Sequence, residues 1–143
     1  MTQPYREDGR EDRSILVTAF NGSLFGLDPT TGAVRWRHEL GSGTVELQFR
    51  AGRVFASTSQ VLYCFEYPSG VLLGQVRIPS QYGGRPTMLI EGDRVFLGTN
   101  GELSCFDLSG KVLWTQPFEG QGFGGMALAF PDNVRQADDV GSR

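Results

Sequence analysis

One motif recurs three times along the chain, and a repeat constrains the fold more than any single residue does. The segments starting at Leu16, Val54 and Val95 align with one another. Leu24, Leu62 and Leu103 correspond, at spacings of 38 and 41 residues. So do Leu27, Phe65 and Phe106, each followed by an acid: Asp28, Glu66 and Asp107. Asn21-Gly22 and Asn100-Gly101 are two-residue hairpin signals between alternating segments. The stretches from Asp28 to Gly32 and from Asp107 to Gly110 mark the next turn. A further strand precedes the second and third units, at Val45–Phe49 and Thr87–Ile90. Four short strands in about 40 residues is the arithmetic of a propeller blade. No segment sustains a 3.6-residue period, so helix should be nearly absent.

Composition agrees. Glycine supplies 20 of 143 residues, about twice the usual share, which suits many tight turns. Thirteen Lys+Arg against sixteen Asp+Glu leave a net charge of −3. That balance argues against a phosphate-tracking nucleic-acid binder and against a membrane-surface binder. No apolar run is long enough to span a membrane. No secretory signal is visible at the start, so a cytoplasmic location is expected. Cys64 and Cys105 occupy equivalent positions in neighbouring units, with Gly26 in the first. Such positions are too far apart to bridge, and both thiols read as small buried hydrophobes.

The stretch Leu27, Asp28, Gly32, Trp36 resembles the PQQ-like β-propeller repeat, as does Phe106, Asp107, Gly110, Trp114 with one turn residue fewer. Unit two departs from the pattern, with Glu66 for the Asp and Gly74 for the Trp. The resemblance spans about residues 14–134 and implies an all-β propeller of four-stranded antiparallel blades. It also implies structural roles: Asp28, Gly32, Asp107 and Gly110 shape turns, while Trp36 and Trp114 pack blade on blade. Enzymes of the wider family carry a catalytic Asp, acidic metal ligands and a vicinal cysteine pair. Nothing here matches these, so no cofactor and no catalytic residue is expected.

Strand counting yields a sharper expectation. Unit one lacks its first strand. Residues 1–13 are a charged stretch without alternation, expected to be a disordered tail. After the third unit, Met126, Ala127, Leu128, Ala129 and Phe130 read as one leftover first strand, and 135–143 as a polar tail. The twelve strands suffice for three blades, and propellers close with 4–8. A six-bladed homodimer is expected, in which 126–130 of each chain completes the other's first blade. A ring closed by a different half-propeller and a fragment of a longer chain are the alternatives.

Motifs for chemistry are weak. Gly120, Gly122 and Gly125 fit G-x-G-x-x-G, but too few residues follow for a βαβ unit, so a flexible loop is expected. His38 is the sole histidine, in Arg35-Trp36-Arg37-His38-Glu39, and reads as part of a solvated outer edge. Asn21-Gly22-Ser23 is a glycosylation sequon by pattern only. Asp138-Asp139 falls in the tail, and the acids of residues 7–12 alternate with arginine, which suits a solvated linker better than acid–base work.

The hairpin turns at Asn21, Gln60 and Asn100 should share one face with the blade-to-blade loops. Gln81, Tyr82, Arg85, Gln121 and Phe123 sit in those loops. Tyr, Arg and Phe are types that anchor interfaces, and nearby glycines allow close backbone approach. The leading expectation is a non-enzymatic protein-binding or assembly scaffold, with itself and another protein as partners. Small-ligand or carbohydrate binding at the channel mouth is the second reading. A degenerate PQQ-dependent oxidoreductase component is the third.

Overall fold

The computed structural model describes residues 11–80 and 83–137, which form thirteen strands and no helix. The first sheet is β1 (Leu16–Phe20), β2 (Ser23–Leu27) and β3 (Val34–Glu39). The second is β4 (Glu46–Arg50), β5 (Arg53–Ser57), β6 (Val61–Glu66) and β7 (Leu72–Arg77). The third is β8 (Thr87–Glu91), β9 (Arg94–Thr99), β10 (Glu102–Asp107) and β11 (Val112–Gln116). A hairpin of β12 (Leu128–Phe130) and β13 (Asn133–Arg135) follows. Each sheet is an antiparallel meander in chain order.

Turn chemistry sets the registers. Asn21 and Gly22 both take positive φ, 52° and 76°, the mirror-image turn that matches strand twist. Asn100 and Gly101 repeat it at 48° and 89°. Gly22 has a second constraint: a Cβ there would collide with the Gly41 carbonyl of the following loop. In every repeat the ladder bulges at one place, after Gly26, Cys64 and Cys105. The bulge turns the acid that follows back onto its own loop. Asp28 Oδ1 accepts the Thr30 N–H at 2.8 Å, and Asp107 Oδ1 accepts the N–H groups of Ser109 and Lys111 at 2.9 Å each. Glu66 accepts the Ser69 hydroxyl instead, at 2.6 Å.

The core lies between sheets. Leu24 of the first sheet packs with Val54, Ala56 and Phe65 of the second. Phe55 and Leu62 of the second pack with Met88, Ile90, Val95, Leu97 and Phe106 of the third. Strand side chains alternate between faces, so β5 sends Val54 and Ala56 one way and Phe55 the other. Phe55 and Phe65 are 1% exposed, and each such side chain contributes about 2–3 kcal/mol.

The first strands of the units stand side by side. From β4, Gln48 Nε2 donates to Met88 O at 3.4 Å and Arg50 to Ile90 O at 3.2 Å. From β13, Asn133 Nδ2 donates to Ile90 O at 2.9 Å. Two carbonyls on the unpaired edge of β8, those of Met88 and Ile90, are therefore met by side chains from both neighbours.

The end of the chain differs from expectation. The ladder starts at Leu128, with Met126 and Ala127 outside it, and it is paired within the chain. Asp132, at φ 61°, folds the chain back so that β13 pairs with β12. The ladder is three residue pairs long, from Leu128 opposite Arg135 to Phe130 opposite Asn133. Met126 instead packs against Gly98, its Cβ 3.1 Å from where a Cβ on that glycine would stand. Of the two expected tails, residues 1–10 and 138–143 lie outside the described residues, and Arg135 belongs to β13.

Candidate functional site

The contact between repeats is built from the motif tryptophan. Trp36 and His38 alternate on one face of β3 and both reach the second sheet. Trp36 lies over Gly26 of its own sheet and against Gly70 in the next unit's turn, where a Cβ on either glycine would enter the indole. Its Nε1 donates to Pro68 O at 2.9 Å. His38 Nε2 donates to Gly70 O at 2.7 Å, and the ring lies 4.6 Å from Phe65. His38 is thus half-buried between sheets, not on a solvated edge. The solvated face of β3 belongs to Arg35, Arg37 and Glu39. There Arg37, then Ser23, hold the Glu39 carboxyl below its usual range.

Towards the two ends the same contacts are half made. Leu16 is 54% exposed, although its repeat counterparts Val54 and Val95 are fully buried. Phe20 is 64% exposed, while its counterparts Thr58 and Thr99 are buried. Among the described residues β1 pairs on one edge only, with β2. At the far end Trp114 stands opposite Cys105 in the ladder but is 41% exposed. It heads a row of rings, with Phe96 6.1 Å away and Phe130 5.5 Å from Phe96. Gly32, the counterpart of Gly70, would have nothing within 4 Å of an added Cβ.

Hydrogen bonds tie the hairpin turns to the loops between sheets. Leu40 N donates to Gly22 O, and Ile78 N to Gln60 O, both at 2.8 Å. Gly124 N donates to Asn100 Oδ1 at 2.9 Å, and Gly84 approaches the Asn100 Cβ from the other side. Asn100 therefore brings the loop of Arg85 beside the loop of Gln121 and Phe123. Phe123 is 69% exposed, Gln121 is exposed and Arg85 half-buried. Gln81 and Tyr82 lie outside the described residues.

The first strands border a concavity of about 1750 Å³, with Gln48, Arg50, Glu91 and Arg135 on its wall. Among the described residues no group of three His, Cys, Asp or Glu side chains converges. Both thiols are free, Cys105 buried and Cys64 half-buried, and burial pushes both upward in pKa. The sequence does not single out Tyr67, whose hydroxyl donates to Ile15 O at 2.6 Å, or Asn133. Their polar atoms act over 52 and 43 residues of separation, which no local pattern encodes.

A family model described as outer membrane protein assembly factor BamB matches residues 58–130. The BamB of Burkholderia pseudomallei (strain K96243) is 25% identical over 126 residues, covering 73% of this chain. The chain spans about a third of that relative, 32% of its length. Among solved structures, BamB from Moraxella catarrhalis superposes with a TM-score of 0.61 at 21% identity, over 85% of this chain and 40% of that one. The Neurospora crassa Pan2 WD40 domain gives 0.63 at 15% identity, over 76% and 36%. A europium-containing methanol dehydrogenase gives 0.53 at 16% identity, over 71% and 22%. At these identities the structures show the fold alone, an all-β arrangement of antiparallel four-stranded sheets with β-propeller neighbours. With three repeats, the first two joined by the Trp36–Gly70 contact, and the match over 58–130, the chain belongs to the PQQ-like repeat family whose model is described as outer membrane protein assembly factor BamB.

Proposed function

We propose that this chain is a non-enzymatic protein-binding and assembly scaffold made of propeller blades, and that it completes its ring with a second copy of itself. One observation carries the reading: the Trp36–Gly70 contact recurs as two unfilled halves. Trp114 is 41% exposed, and Gly32 offers a turn with nothing against it. In a head-to-tail pair, Trp114 of one copy meets Gly32 of the other, and β1 meets β12. β1 has five residues and β13 three, so exchange of β13 for the partner's β1 lengthens the ladder on β12 towards Met126. Leu16 then takes the buried place that Val54 and Val95 hold in their sheets. Residues 14–134 act as the ring-forming unit, and two such units give six blades, within the usual 4–8. The loops of Arg85, Gln121 and Phe123 present the surface for a further protein. The assembly role in the names of the relatives supports a protein partner.

The test is solution mass by light scattering, for wild type, Leu16→Lys and Trp114→Ala. Wild type should run at twice 15.7 kDa, and both variants should fall to monomer with an unchanged far-UV spectrum. A wild type that stays monomeric at high concentration would overturn self-closure. The concavity favours a second reading, small-ligand or carbohydrate binding at the channel mouth. It would show as ligand-dependent thermal stabilisation.

A further inference from the structure

The repeat motif leaves one internal position empty. Three cross-strand pairs are equivalent: Gly26 opposite Trp36, Cys64 opposite Gly74, and Cys105 opposite Trp114. Between the first and second sheets this place is filled by the Trp36 indole, braced by His38 on Gly70. Between the second and third sheets both bracing residues are changed. Gly74 stands for the Trp and Val76 for the His. A Cβ on Gly74 would have nothing within 4 Å, and the turn glycine Gly110 is approached only by Val76, at 3.5 Å from an added Cβ. What remains is a slot of about 260 Å³ whose walls include Phe55, Cys64, Gly74, Val76, Leu108 and Gly110. The slot is open to solvent along Gly74, which is exposed.

We propose that this slot is a binding site for a small, neutral, planar aromatic ligand of the indole class. The occupant is specified by the repeat frame, which sets an indole opposite Gly26 in the first sheet and opposite Cys105, the counterpart of Cys64, in the third. The walls are β-sheet side chains and a tight turn, so the site is preformed and little ordering opposes binding. It is separate from the sheet edges and loops assigned to protein contacts, so it stands or falls without them.

The probe is indole, titrated into the full chain and followed by ligand-observed NMR, with Cys64 alkylation as the second readout. Cys105 is fully buried and silent in the folded protein, so Cys64 reports the slot. Saturable binding is expected at one site, with a Kd of about 0.1–1 mM, as suits so small a ligand. Saturating indole should slow Cys64 alkylation about tenfold. Gly74→Trp should fill the slot from within, remove both effects and raise the melting temperature. Trp36→Gly should open a second slot and raise the stoichiometry from one to two. Absence of saturation, or binding that leaves Cys64 alkylation unchanged, would overturn the proposal in the wild-type protein alone, whether or not the variants fold. Binding that persists unchanged in folded Gly74→Trp would also overturn it.

Discussion

Trp36 Nε1 donates to the carbonyl of Pro68 at 2.9 Å, across the junction between the first two sheets. The bond anchors an indole that leaves no room for a side chain on Gly70, which itself holds φ at 76°. Gly70→Ala meets a steric clash and an unfavourable backbone conformation together. The expected loss is about 2–4 kcal/mol. Gly74→Ala, at the repeat position where a Cβ meets nothing, should change stability by no more than about 1 kcal/mol and in the favourable direction. Urea midpoints of the two variants, followed by tryptophan fluorescence, check the contrast. Equal losses would mean that the indole is not held as described.

The spacing of Leu24, Leu62 and Leu103, the Asn-Gly turns and the Asp-to-Gly stretches carry the strand order, because each is a local instruction repeated at a fixed period. His38 shows where this stops. Its alternation with Trp36 was visible in the sequence, but that the Trp face of β3 is the buried one depends on the glycine of the next unit, 32 residues away. The second strand of the terminal hairpin shows in the sequence only as a likeness of Pro131–Val134 to Gly92–Val95. Pairing of β12 with β13 depends on a three-residue ladder and on Asn133, which bonds to a strand 43 residues earlier.

Tyr67 fastens the start of β1 to the second sheet. Its hydroxyl donates to Ile15 O at 2.6 Å and accepts the Ile15 N–H at 3.2 Å, while the ring packs edge-on to Phe49 at 5.1 Å. Tyr67→Phe keeps the ring and removes both bonds. A loss of about 1–2 kcal/mol is expected, with faster amide exchange at residues 15–20 and little change in the third sheet. Hydrogen-exchange mass spectrometry reads both. Uniform acceleration would show that β1 is not anchored there.

The turn acids set a pH dependence of definite sign. Arg35, then the Thr30 backbone, hold the Asp28 carboxyl below its ordinary 3.8, and Ser109, then the Lys111 backbone, do so for Asp107. A carboxyl whose folded pKa is lowered adds stability that is present above its unfolded pKa. That contribution is lost as pH falls through the folded value. Stability should therefore be insensitive to these groups near neutrality and should decline below about pH 4. Asp28→Asn with Asp107→Asn should lower the urea midpoint at pH 7 and flatten its fall between pH 4 and 2. A double variant with the wild-type acid slope would assign that slope to other groups.

Asn133 gives a test in which stability and association move in opposite directions. Its amide donates to Ile90 O at 2.9 Å and to Glu91 Oε1 at 2.8 Å, clamping β13 beside β8. Asn133→Ala removes both bonds and should cost about 1–2 kcal/mol within one chain. If β13 occupies the edge of β12 that a second copy's β1 is proposed to take, loosening it frees that edge. The variant should then dimerise more tightly than wild type while melting earlier at low concentration. Sedimentation equilibrium with thermal melts at several concentrations separates the two effects. A variant that is less stable and also associates more weakly would mean that β13 supports the interface instead of competing for it.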